Sequence, residues 1–156
     1  MDFNPYDNFI FYDSCAFDGG DIAEQEASEK ARNILDAQKK RIMLMHSVVD
    51  EIRNPSTPKW LQEREPRSRQ TVKLNLTEEE KRTLQDIENI IVGNGKFEKR
   101  KADCFHVFEA QKYGGCFVTT DSGIYKHAEE IFNKYGLYII KPSKFLELIL
   151  KYSDKI

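Results

Sequence analysis

Apolar positions fall along the chain in two rhythms. Short runs, "NFIFY" (8–12), "RIMLMH" (41–46), "CFVTT" (116–120) and "LYII" (137–140), are aromatic or β-branched and bounded by polar residues, the pattern of buried strands. Between them the apolar residues recur at helical spacing. "GGDIAEQEASEKARNILDAQKKR" carries Ile22, Ala23, Ala27, Ala31, Ile34 and Leu35 behind Asp21 as N-cap. "SVVDEIRNP" offers Ser47 as the cap of a helix that Pro55 closes. "LTEEEKRTLQDIENIIVGNG" places Thr77 and Glu80 in capping-box spacing ahead of Leu84, Ile87, Ile90 and Ile91. "KADCFHVFEAQKYGG", "SGIYKHAEEIFNKYG" and "PSKFLELILKY" predict three further helices, the first with Asp103 in its first turn. The stretch 54–76 holds three prolines among many charges and predicts a projecting loop with short helical pieces.

Strands that alternate with amphipathic helices are the signature of βαβ units. The expected fold is therefore a three-layer α/β/α domain with a mainly parallel sheet. At 156 residues a single domain spanning 1–156 suffices, and it is long enough to bury a core. Hydrophobic residues at 40% and charged residues at 32% fit a folded, soluble chain. A formal charge of −2 excludes nucleic-acid binding through overall positive potential, and leaves local basic clusters as the alternative. Cys15, Cys104 and Cys116 have neither zinc nor disulfide-framework spacing and read as small buried hydrophobes of a reducing compartment. With no signal peptide and no membrane-length apolar run, the expected location is the cytoplasm.

Chemistry enters with the carboxylates. Ligands of open α/β sheets sit beyond the carboxyl ends of the strands. Asp13 follows the first strand directly, Asp121 follows "CFVTT", and Glu51 lies early in the helix after "RIMLMH". Since 26 of 156 residues are acidic, a single aspartate after a strand decides little. Asp and Glu near helix starts also serve as caps. Asp103, however, heads a helix face that continues through Val107 and Ala110, so its charge needs a partner. Carboxylates gathered at one sheet edge would repel one another unless a cation lay between them. A set without His or Cys suits Mg²⁺ or Mn²⁺, and with it metal-assisted phosphodiester hydrolysis.

In order and separation, "FIFYDSCAF", "HSVVDEIRN", "KADCFHVFEAQKYGGCFVTTD" and "LYIIKPSKFLEL" resemble the PIN domain family of metal-dependent nucleases. The likeness covers most of the chain, with 54–76 the weakest part. It implies that Asp13, Glu51, Asp103 and Asp121 form a catalytic metal site for one or two Mg²⁺ or Mn²⁺ ions, with Glu51 ligating the metal or orienting the attacking water. Ser14 and Thr119 would then fix the carboxylates. It further implies an RNA substrate, an endoribonuclease activity, and an antitoxin protein as a partner if the chain is a toxin; a homodimer is a candidate assembly that the sequence does not decide.

An acidic pocket needs cations around it to hold a phosphate backbone. Lys96, Lys99, Arg100 and Lys101 in "KFEKRK", and Arg64, Arg67, Arg69 and Lys73 near Trp60, are the candidates. A solvated polar surface explains the same residues equally well. His46 ends the second run and approaches the expected pocket, whereas His106 and His127 lack ligand spacing and read as structural or surface residues. Phe105, Phe108, Phe117, Phe132 and Phe145 read as core. Two competing functions remain: a PIN-like module that only binds RNA or protein, against which four retained acids count, and a Mg²⁺-dependent phosphatase or receiver-like protein centred on Asp13. The phosphatase pattern wants an aspartate where Cys15 stands, and a receiver would use a lysine placed like Lys141.

Overall fold

The computed structural model of the protein describes residues 3–13, 15–18, 20–44, 48, 69–70, 75–93 and 95–153. Strands β1 (Ile10–Tyr12), β2 (Met43–Leu44), β3 (Arg69–Gln70), β4 (Cys116–Val118) and β5 (Tyr138–Ile140) form one sheet in the order β3-β2-β1-β4-β5. Every described pairing is parallel, with Phe11 opposite both Met43 and Phe117, and Phe117 opposite Ile139. Such strands are covered on both faces, which is why β1 and β4 are apolar at every position and wholly buried.

Around the sheet lie α1 (Cys15–Asp18), α2 (Ile22–Ala37), α3 (Glu78–Val92), α4 (Phe97–Tyr113), α5 (Ser122–Tyr125), α6 (Ala128–Tyr135) and α7 (Pro142–Ser153). The chain moves from β1 outward to β2 and β3, then crosses back past β1 to β4 and β5. Right-handed crossovers in opposite directions put their helices on opposite faces, so α2 packs with α7 on one face and α3 with α4 on the other. The result is the expected three-layer α/β/α architecture. Its core joins Phe11, Tyr12, Phe17, Leu35, Phe108, Phe117, Phe145 and Ile149, each 2% exposed or less.

Local signals behave as their chemistry dictates. Asp21 caps α2 through the Glu24 N–H at 2.9 Å, and Thr77 and Glu80 complete a reciprocal capping box on α3. Four expectations need correction. Helix α4 starts at Phe97, because the Glu, Lys and Arg residues of "KFEKRK" are good helix formers, and Asp103 therefore lies in the second turn. The predicted helix from Ser122 divides into α5 and α6, where the His127 N–H bonds back to Ile124 and tightens the turn. Stretch 54–76 includes an edge strand, β3, whose polar Arg-Gln pair carries no strand-like apolar signal. Ile22 is 73% exposed and Phe132 lies at the surface, so neither belongs to the core; Phe105 is half-buried.

No helix among the described residues is long and apolar enough to cross a membrane. Cys104 and Cys116 are buried as expected, while Cys15 is only partly so.

Candidate functional site

The reversal of strand order falls between β1 and β4, and the crevice beyond their carboxyl ends is where open α/β sheets hold ligands. Asp13 and Asp121 both stand there. Asp13 extends β1, its N–H bonding the Val118 carbonyl at 3.1 Å, and is only 4% exposed. A carboxylate so buried requires donors. Thr119 Oγ1 donates to Asp13 Oδ2 at 3.1 Å, and Cys15 Sγ donates to the same oxygen at 3.1 Å. The Thr119 hydroxyl, having given its proton to Asp13, accepts from the Asp121 N–H at 3.0 Å. One buried hydroxyl thus ties the two acids of neighbouring strands together.

Asp121 is the N-cap of α5, accepting the Gly123 N–H on Oδ1 at 2.8 Å. Its other partner comes from α4. Arg100 Nη1 donates to both Asp121 oxygens at 3.2 Å and to Asp103 Oδ2 at 3.0 Å. The Arg100 and Asp103 side chains reach each other because an i,i+3 pair shares a helix face. The next turns of that face, Val107 and Ala110, are fully buried.

Burial is the largest influence on Asp103 and raises its carboxyl from 3.8 to about 6, against the opposing pull of Arg100. Repulsion from Asp121 and Asp13 contributes to that rise, and His106 opposes it. Three carboxylates from β1, β4 and α4 therefore share one electrostatic neighbourhood. Burial also pushes the Cys15 thiol up to about 12, with the charge of Asp13 as the second cause. A thiol held neutral is a hydrogen-bond donor here and no nucleophile.

Of the residues expected from sequence, Asp13, Asp103, Asp121 and Thr119 meet in this crevice. Glu51, Ser14, His46, Trp60, Arg64, Arg67 and Lys73 lie outside the described residues, as do the side chains of Arg69 and Lys99. Lys96 and Lys101 are exposed at the start of α4. Arg100 is a correction: its guanidinium turns inward onto two acids, because their combined charge at short range outweighs solvation of one arginine head group. Lys141, which a receiver would turn to its phosphoacceptor, lies with Nζ 4.9 Å over the ring of Tyr125.

Among the described residues, no three His, Cys, Asp or Glu side chains form a group able to hold a metal as they stand. Asp103 and Asp121 are directed at Arg100 instead. The donor set is nevertheless all oxygen, and it already holds one cation, the guanidinium. That chemistry fits a hard divalent ion such as Mg²⁺ or Mn²⁺.

No protein-family model matches this chain, and no curated protein matches it at a significant level. Gly123 holds Asp121 without an expectation from sequence, and Cys15, expected as a small buried hydrophobe, donates to Asp13. The only signal for Cys15 was its position two residues after Asp13, and for Gly123 its position two residues after Asp121.

Proposed function

We propose that the protein is a Mg²⁺- or Mn²⁺-dependent endoribonuclease of PIN type, of the kind found as the toxin of toxin–antitoxin pairs. The observation that carries this reading is the sharing of one cation, Arg100, by Asp103 and Asp121 beside the buried Asp13 at the strand-order reversal. Asp13, Asp103 and Asp121 would hold the ion, and Glu51 is the proposed fourth acid. When bound, the metal supplies Lewis acidity at the scissile phosphate and a water of lowered pKa.

The chain's own residues do the positioning. Thr119 and Cys15 fix one oxygen of Asp13, and the Gly123 N–H fixes one oxygen of Asp121, so that both carboxylates are pre-oriented. Tyr125 is 38% exposed on the helix that Asp121 caps, with the Lys141 ammonium over its ring. An exposed ring and an ammonium at the functional edge suit base stacking and phosphate contact with a single strand. Lys96 and Lys101 add exposed positive charge at the start of α4.

The test is cleavage of single-stranded RNA and DNA by the purified protein with Mn²⁺ or Mg²⁺, beside Asp121→Asn. The reading predicts RNA cleavage that Asp121→Asn abolishes. RNA binding without cleavage under any divalent ion would replace it with the binding-module reading.

A further inference from the structure

Arg100 occupies the place of a cation, and the surrounding backbone is shaped to receive it. Its Nη1 spans Asp103 and both oxygens of Asp121, while the guanidinium rests against Gly123. A Cβ at Gly123 would overlap Nη1, Nη2 and Cζ of Arg100. Gly123 does not have a positive φ, so room for the guanidinium, rather than backbone freedom, is what the missing side chain provides. The Arg100 side chain is 35% exposed, which leaves it a path to solvent.

We propose that Arg100 is a built-in counter-cation that competes with the divalent ion for Asp103 and Asp121, and that Gly123 is the seat that lets it do so. The inference rests on the metal-dependent reading given above. The guanidinium lies against Asp103 Oδ2 and both oxygens of Asp121 and repels a second cation, so an ion drawn to these carboxylates binds in competition with Arg100. In the ion-free protein the same contacts offset the repulsion between the acids. The affinity for metal is accordingly lower than these carboxylates alone would give.

Calorimetric titration of Mn²⁺ into the wild type, Arg100→Ala, Gly123→Ala and Asp121→Asn tests this, with circular dichroism to verify folding. Arg100→Ala and Gly123→Ala should each bind Mn²⁺ about tenfold more tightly than the wild type, since each removes a charge-assisted, partly exposed contact. Gly123→Ala keeps both the arginine charge and the N–H bonded to Asp121, so it separates seating from net charge, and it carries the test alone if Arg100→Ala does not fold. Equal or weaker affinity in both variants, with binding lost in Asp121→Asn, would overturn the competition and leave the metal site standing. A gain confined to Arg100→Ala would overturn the role of Gly123. No Mn²⁺ binding by any of the four proteins would overturn the inference together with the metal-dependent reading.

Discussion

The two ends of the β1–β4 pair are built on the same backbone ladder and finished with opposite chemistry. At the amino end the Cys116 N–H bonds the Phe9 carbonyl at 3.0 Å, and the Tyr138 N–H bonds Gly115 at 3.0 Å. At the carboxyl end the Asp13 N–H bonds Val118 at 3.1 Å, and the Thr119 N–H bonds Ile140 at 3.0 Å. The side chains that follow differ. Gly115 offers none, at φ +130° and pressed on the Phe9 backbone, and Lys40 closes this end by donating to the carbonyls of Asn8 and Tyr6 at 3.1 and 3.3 Å. The carboxyl end instead buries Asp13 and directs Asp103 and Asp121 onto one guanidinium. One end closes the fold, and the other concentrates charge that needs a cation. Substitutions at the two ends should therefore separate stability from activity.

The largest separation is expected from Asp13→Asn. It should lower RNA cleavage by about 100-fold or more, measured as initial rate, while the melting temperature stays near that of the wild type. At the other end, Gly115→Ala should destabilise the protein by about 1–3 kcal/mol in urea unfolding, because φ +130° and the overlap with Phe9 both oppose a side chain. Cleavage per folded molecule should not change. If Gly115→Ala lost activity without losing stability, the contrast between the ends would be wrong.

Thr119→Val replaces the hydroxyl that links Asp13 to Asp121 with a methyl group of similar size. A fall of about tenfold in cleavage rate is expected, with the variant still folded, because the acids lose their orientation and not their charge. The smallest effect concerns pH. Asp103 has a folded-state pKa raised from 3.8 to about 6, chiefly by burial, so the folded form takes up a proton before the unfolded form does. Its contribution to stability is present below 3.8 and is lost as pH rises through about 6. With divalent ions chelated, thermal melts of Asp103→Asn against the wild type should lack that share of the pH dependence. Equal slopes for the two proteins would contradict the buried, repelled state of Asp103.

Much of this contrast is legible in the sequence, for local reasons. "FIFYD" ends an apolar strand directly in an acid and "CFVTTD" ends one in two threonines and an acid, so in a parallel sheet the hydrophobic pattern assigns Asp13 and Asp121 to one edge. The capping box at Thr77 and the N-cap at Asp21 are equally local. Arg100 is not legible in its role, since an arginine inside "KFEKRK" has the composition of a phosphate-binding run. Only the packing of α4 across from α5, which joins residues 100 and 121, reveals it as a partner of acids. The later start expected for the helix of Asp103 hides the same fact, because it leaves Arg100 outside the helix and off the face it shares with Asp103. Edge strand β3 carries Arg69 and Gln70, and its backbone pairing leaves no apolar trace.

The most direct test of the central claim is the rate of single-stranded RNA cleavage with Mn²⁺, then with chelator, for the wild type and Asp13→Asn. Wild-type cleavage should be abolished by chelation and restored by Mn²⁺, and Asp13→Asn should show almost none. Cleavage indifferent to chelator, or retained in Asp13→Asn, would contradict a carboxylate metal site at the ends of β1 and β4.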